Sequence, residues 1–379
     1  MRLHNLIIGF LTCQPILKGL AESHDMINRY ALVTRYNPIR TSSNPSTPLQ
    51  IGNGNFAFGG DITGLQTFLP FNTLSSWGWK NDSLPAGFTE EDIELYKGVS
   101  WLNHGRPVQY DFGGGNPVEQ WLTSNPNRVN LGRIGLAFIN AGMILNVTES
   151  DLDNTTQTLD LWSGVITSTF SFQGTAATVK VSSAESSDAI AIHLDSKLVN
   201  EGRLGIFLDF PWCDGTAKFS APFVGRYDIP SNHTTTLKTS TSKAVVEHQL
   251  DAANFVTTIT GNSFSIKRVD PIAHRYLTTP YSKTRNREFS LTISFGLSEQ
   301  KVNLDANQVF EESKQAWEEY WSNSGFIDVL TNSKDSRADE LQRRIILSRY
   351  LMRVNEAGDT PPQEVSYVLR RFAFHWLIR

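Results

Sequence analysis

Between about Thr34 and Leu297, short runs of alternating or β-branched residues recur with little interruption, and no helical periodicity separates them. The runs are Leu131–Leu145, Leu159–Phe172, Ala176–Val181, Ala189–Leu194, Leu204–Phe210, Ala244–His248, Phe255–Ile259, Phe264–Val269 and Phe289–Leu297. Turn formers stand between many of them, as in Asn200-Glu-Gly202, Asp214-Gly215 and Gly261-Asn262. Period-2 patterning punctuated in this way predicts strands. Without crossover helices the strands must pair antiparallel, so the expected class is mainly β, a large antiparallel sandwich.

The period then changes. Asp305 with Gln308 has capping-box spacing, and Val309, Phe310, Ser313, Trp317, Tyr320 and Trp321 fall on one helical face, with Gly325 as the stop. A second helix is predicted from Ser336, with Asp339 completing another capping box, to about Gly358 before Pro361-Pro362. It carries two apolar stripes, Leu341-Ile345-Ser348-Met352 and Leu347-Leu351-Val354, and therefore needs partners on two sides.

The N-terminus has the form of a secretory leader: Arg2, an apolar run from Leu6 to Leu17 and a small-x-small site at Gly19-Leu20-Ala21. The run is too short and interrupted to span a bilayer, and no later segment is long and apolar enough, so a secreted, extracellular protein without a membrane partner is expected. Four sequons agree with export, with acceptors Asn81, Asn146, Asn154 and Asn232. Of two cysteines, Cys13 falls in the leader, which leaves Cys213 without an intrachain disulfide partner and excludes a Cys-x-x-Cys metal site. The net charge of −4, without long like-charge runs, argues against nucleic acid as a partner.

Leu49–Lys80 is the densest candidate for function. It holds six glycines (52, 54, 59, 60, 64 and 78), four phenylalanines and two tryptophans, with Asp61 and Lys80 its only charges. Glycine permits close backbone approach and aromatic faces stack on flat apolar surfaces, which suits either a sugar-docking wall or a turn-rich core. Trp77 and Trp79 flank Gly78, so an extended backbone would put both rings on one face, as a sugar platform or as core, with Lys80, Asn81 and Asp82 on an exposed lip. Trp101, Asn103, His104 and Arg106 form a second cluster, either lining a cleft or lying on a surface loop. Gly52-x-Gly54-x-x-Ala57 fits the loose dinucleotide fingerprint, but no helix follows to receive a pyrophosphate.

Glycoside hydrolysis needs two carboxyl groups at a set separation. Asp61, Asp111, Asp209 and Asp214 are the isolated acids near aromatics, and none stands in a signature; Asp209 to Gly215 reads as a strand entering an Asp-Gly turn. Glu90-Glu91-Asp92 reads as a helix start. No nucleophile elbow, zinc motif or histidine pattern is present, so neither a cofactor nor a metal is expected and the catalytic residues are left unassigned.

The segment QIGNGNFAFGGDITG resembles the N-terminal sandwich motif of six-hairpin glycosidases, the (α/α)6-barrel enzymes that include the family 65 disaccharide phosphorylases and hydrolases and the family 95 fucosidases. FLPFNTLSSWGWKNDSLP, SNPNRVNLGRIGLAF, GIFLDFPWCDG and ELQRRIILSRYLMRVNEAGDTPPQE are similar to a secreted fungal-type branch of that superfamily, over about Val33 to Glu364. The resemblance implies a leader (1–21), a β-sandwich (30–300), a linker helix (301–330) and the first helix of a helical barrel (331–379), in which the catalytic acid of such enzymes would lie. After Glu364 the chain reads VSYVLRRFAFHWLIR and departs from the pattern, so the resemblance implies an inverting-type carbohydrate enzyme that is catalytically incomplete, with a truncated barrel. The alternative is a stand-alone carbohydrate-binding or interaction module. On the same analogy Asn53, Asn55, Trp77 and Trp79 are the candidates to contact an oligo- or polysaccharide.

Overall fold

A computed structural model of the chain describes residues 27–360 apart from 111–112, 218–223, 241, 262, 282–285 and 302–303. The leader, Cys13, Asp111 and the tail after Glu364 lie outside the described residues.

The chain is mainly β, and every strand pairing among the described residues is antiparallel. One sheet has nine strands in the order Ile39–Arg40, Leu152–Asp160, Val165–Phe172, Thr175–Ser183, Ala189–Ser196, Glu288–Gly296, Ala253–Gly261, Lys243–Leu250 and His233–Thr239. A second has five, in the order Met143–Ile144, Arg133–Asn140, Leu204–Asp209, Arg275–Pro280 and Phe264–Arg268. The inward residues of both sheets share one core. Phe138 of the smaller sheet meets Phe170 and Phe172 of the larger at 6.3 and 4.5 Å between ring centroids. A three-stranded sheet, Leu49–Gly52, Phe56–Gly60 and Thr73–Ser75, contributes further buried aromatics to that core.

Four sequence expectations change in detail. The run Leu131–Leu145 is two strands, Arg133–Asn140 and Met143–Ile144, paired as a hairpin around Ala141 and Gly142, both at positive φ. The run Leu159–Phe172 is two strands, because Asp160–Gly164 turns: the Gly164 N–H donates to the Asp160 carbonyl at 2.8 Å with Gly164 at φ +67°, which favours glycine. Strands His233–Thr239 and Arg275–Pro280 are additional to those predicted. The Ser336–Asp339 capping box does not form; the helix instead begins at Ala338, with Arg337 as an N-cap that makes no side-chain bond. Asp339 is engaged elsewhere, by Arg35 at 2.9 Å and by the Tyr36 hydroxyl at 3.0 Å.

The linker helix Ala306–Asn323 has its predicted capping box at Asp305 and Gln308, and buries Val309, Ser313, Trp317 and Trp321. It fastens to the Asp160–Gly164 turn: the Trp321 indole N–H donates to the Leu161 carbonyl at 2.7 Å and the Ser313 hydroxyl to the Ser163 carbonyl at 3.0 Å. The last helix, Ala338–Glu356, lays Ala338, Gln342, Ile346, Tyr350 and Val354 against the rest of the chain. Tyr350 stacks on Trp317 at 4.4 Å, and its hydroxyl donates to the Gln50 carbonyl at 3.0 Å. Leu341, Leu351 and Met352, on the other side of that helix, are exposed. Trp317, Trp321, Ile346 and Tyr350 belong to the same core as the two large sheets, so residues on both sides of the expected boundaries at 300 and 331 pack as one body.

Candidate functional site

The glycine-aromatic stretch is where the last helix is seated. The Gly54 N–H donates to the Val354 carbonyl at 3.1 Å, which satisfies a C-terminal helix carbonyl that has no partner within the helix. Gly54 has φ +94°, and a Cβ there would lie 2.5 Å from the Ala357 carbonyl carbon, so both conformation and space require glycine.

The two asparagines of the turn are held by protein. Asn53 accepts from the N–H groups of Asn55 (3.1 Å) and Phe56 (2.8 Å) through Oδ1, and donates through Nδ2 to the carbonyls of Ala184 (3.0 Å) and Ser187 (3.1 Å). It ties the turn to the loop before strand Ala189–Ser196. Asn55 holds Asp359 on both sides, donating to its carboxylate at 3.0 Å and accepting from its N–H at 2.9 Å.

Trp77 and Trp79 are separated. A tight turn, with the Trp79 N–H on the Trp77 carbonyl at 2.9 Å, breaks the extended path that would have put both rings on one face. Trp77 packs on Phe255 at 6.0 Å and its indole N–H donates to the Asp188 carboxylate, which the Ser75 hydroxyl also reaches. Burial pushes the Asp188 carboxyl up from its ordinary value, against the pull of those two donors. Asp188 carries no local signal in the sequence, because an acid behind a Ser-rich turn reads as solvent-facing punctuation. Trp79 is 50% exposed. Lys80 is buried rather than on an open lip: its ammonium pairs with Asp82 (2.6 Å) and Asp251 (2.7 Å) and lies over the Trp212 ring at 4.8 Å.

From Trp79 the chain makes an excursion that returns at Asn127–Arg128, the strand partner of Trp79–Lys80. Its centre is the hairpin Val99–Asn103 with Arg106–Tyr110, turned by His104 and Gly105, both at positive φ as a two-residue hairpin turn requires. Trp101 is 53% exposed and Tyr110 40% exposed, and they share a face because Val99 pairs with Tyr110 and Trp101 with Val108. Together with Leu102, Asn103 and Gly113 they line an open cleft of about 460 Å³. The second sequence cluster is thus an exposed hairpin. Glu119, on helix Pro117–Ser124, fastens its base by accepting from the N–H groups of Gly113 and Gly114 (2.5 and 2.8 Å). Desolvation pushes that carboxyl up, but the backbone donors outweigh it and hold it below the usual carboxylate range.

The remaining candidate acids have structural partners. Asp61 is fully buried and accepts from Thr63 N–H and hydroxyl (2.9 and 2.7 Å) and from Phe68 and Leu69 N–H (2.6 and 3.1 Å). Asp209 pairs with Arg275, and Asp214 binds the Trp212 indole and the Thr216 N–H. Glu90–Leu95 is the short helix expected, capped by Thr89 and Asp92. The acceptor asparagines Asn81, Asn146, Asn154 and Asn232 are all exposed. Cys213 is buried, and burial pushes its thiol up to about 12. Among the described residues no group of three or more His, Cys, Asp or Glu is placed to hold a metal ion, and no helix is long and apolar enough to cross a membrane.

No family model matches the chain, and no curated protein matches it. Among solved structures, it is similar to a protein assigned as a kojibiose phosphorylase from human microbiome, with TM-score 0.49 and 9% identity over 83% of this chain and 42% of that one. A bacterial glucoamylase complexed with acarbose aligns with TM-score 0.38 and 10% identity over 84% and 44%. A family GH92 α-mannosidase from Bacteroides thetaiotaomicron aligns with TM-score 0.32 and 9% identity over 85% and 41%. The chain spans less than half the length of each of these structures.

Proposed function

We propose that this chain is the sandwich part of a secreted carbohydrate-active protein of the glycosidase or phosphorylase kind, and that it contacts sugar through the excursion after Trp79. The observation that carries the reading is the contrast in aromatic burial: Phe56, Phe58, Phe71, Phe138, Phe170 and Phe210 are fully or almost fully buried, whereas Trp79, Trp101 and Tyr110 stand in solvent. Rings held out on a fixed hairpin offer flat apolar faces of the sort a pyranose stacks on, at a low entropy cost. The sequence likeness of QIGNGNFAFGGDITG to sandwich domains of six-hairpin glycosidases points the same way. Asn53, Asn55 and Trp77 are engaged by protein; Trp79 is the sequence candidate that touches the sugar. The exposed side of the last helix, with Leu341, Leu351 and Met352, suits packing against further helices, as the same resemblance implies.

Because Asp61, Asp209 and Asp214 are each engaged in the sandwich, binding rather than bond cleavage is assigned to the described residues. Titration calorimetry of the chain against a panel of neutral oligosaccharides tests this. Saturable binding is expected, and Trp79→Ala and Trp101→Ala should each weaken it by about 2- to 10-fold, the worth of roughly 0.5–1.5 kcal/mol for one aromatic stacking contact. No saturable binding to any member, or binding indifferent to both substitutions, sinks the reading. Turnover that disappears on changing an acid within the sandwich would instead make this part the catalytic centre.

A further inference from the structure

The outer face of the five-stranded sheet carries a feature unrelated to the exposed hairpin. Strand register sets Arg133, Asp209 and Arg275 side by side across three neighbouring strands, Asp209 pairing with Arg133 on one side and with Arg275 on the other. This row holds two guanidiniums and one carboxylate. Asp209 gives a single oxygen, Oδ2, to Arg275, accepting from its Nε at 2.9 Å and its Nη2 at 2.6 Å. Arg133 has no carboxylate at ion-pair distance among the described residues; it donates to the carbonyls of Gln66 (2.7 Å) and Thr67 (2.5 Å). Carbonyls orient a guanidinium without neutralising it, and the carboxylates within its electrostatic reach, Asp209 and Asp61, are hydrogen-bonded to other groups.

Both guanidiniums lie against one aromatic ring. The Arg133 and Arg275 Cζ atoms are 5.4 and 4.8 Å from the centroid of Phe207. Phe207 is in turn fixed over Gly135, where a Cβ would come within 2.5 Å of its ring. The two forks are therefore held in place before any ligand arrives.

The row opens into a cleft of about 440 Å³, walled by Phe68 and by the segment Ile144–Glu149. That volume lies in the range of small-molecule sites. Glu149, the acid on the lining, is turned away to the Ser43 N–H at 2.8 Å.

We propose that this cleft binds a small ligand through an oxyanion, the carboxylate of an acidic sugar or a phosphate, held by Arg133 and Arg275. The site goes beyond the exposed-hairpin reading and stands without it. The test is calorimetry at low ionic strength with glucuronate, inorganic phosphate and glucose as separate ligands. Glucuronate or phosphate is expected to saturate the site while glucose does not compete; the tighter of the two anions identifies the source of the oxyanion. Arg133→Gln should weaken the anion at least tenfold, since charge-assisted bonds are the strong ones. Trp79→Ala should leave this binding unchanged, which separates a failure here from a failure of the hairpin surface. No anion binding by the parent chain, or equal binding by the parent and a folded Arg133→Gln variant, overturns the proposal.

Discussion

Gly54→Val is expected to destabilise the chain by about 3 kcal/mol, as the sum of a non-glycine residue forced to positive φ and overpacking against fixed backbone. The added Cβ would meet the Ala357 carbonyl carbon at 2.5 Å and its oxygen at 2.6 Å, and neither can move without displacing the end of the last helix. Gly87 supplies the control. It has φ +85° but nothing within 4 Å of an added Cβ, so Gly87→Val should show only the conformational strain, about 1 kcal/mol. Urea unfolding of the two variants measures the difference, and hydrogen exchange over Ala338–Glu356 locates it. Losses of equal size would mean that the turn does not seat the helix. Faster exchange in that helix for Gly54→Val alone would show that it does.

That contact also illustrates what the sequence could and could not convey. The strands with apolar alternation were legible because one of their faces fills the core. His233–Thr239 was not, since HTTTLKT at the edge of the large sheet is polar on both faces. Leu159–Phe172 concealed a turn because the residues at its bend, Leu161 and Trp162, are themselves apolar and pack inward to receive the linker helix. The linker helix was legible in its cap, its face and its length. The buried stripe of the last helix was not: Ala338, Gln342, Ile346, Tyr350 and Val354 recur at strict i+4 spacing, but Gln342 is buried for its hydrogen bonds, to the Ile327 carbonyl (3.0 Å) and the Val329 N–H (2.7 Å), rather than for hydrophobicity. The candidate site divided in the same way. Composition marked Leu49–Lys80 as a place of close approach, but only tertiary contacts decide that Asn53 and Asn55 face protein while Trp79 faces water.

The second large effect is loss of stability in mild acid. Three histidines meet between the sheets: His233 Nδ1 lies 2.8 Å from His248 Nε2, and the His233 ring lies 3.9 Å from that of His274. The His274 tautomer is fixed by its neighbours. Nε2 must donate to the Pro230 carbonyl at 2.8 Å, so Nδ1 accepts, from Arg268 at 2.9 Å and from the Thr235 hydroxyl at 2.8 Å. A proton added at Nδ1 would point at a guanidinium. In the His233–His248 pair one nitrogen donates and the other accepts, so protonating both would set two N–H groups against each other. The remaining surroundings are Phe210, Trp212 and Tyr276, with Asp209 the carboxylate within electrostatic reach of His274. Burial accordingly pushes His233 down to about 3, His248 well below its ordinary value, and His274 down as well.

The sign follows from linkage. These rings stay neutral in the folded chain below pH 6.5, whereas in the unfolded chain they take up protons, so the unfolded state binds more protons and gains as pH falls. Stability is full above about pH 6.5 and is lost progressively toward pH 3, the window set by the ordinary value and that of His233. At about 1.4 kcal/mol per pH unit for each ring, His233 alone should account for roughly 2 kcal/mol between pH 6.5 and 5. Carboxylates held low by hydrogen bonds, such as Asp214, act below about pH 5, outside the range measured next. Urea unfolding at half-unit steps from pH 7 to 5 measures the slope. His248→Gln should make it shallower by about one proton, and His193→Gln, a change outside the cluster, should leave it as it was. A slope that His248→Gln does not alter would assign the acid sensitivity to other groups.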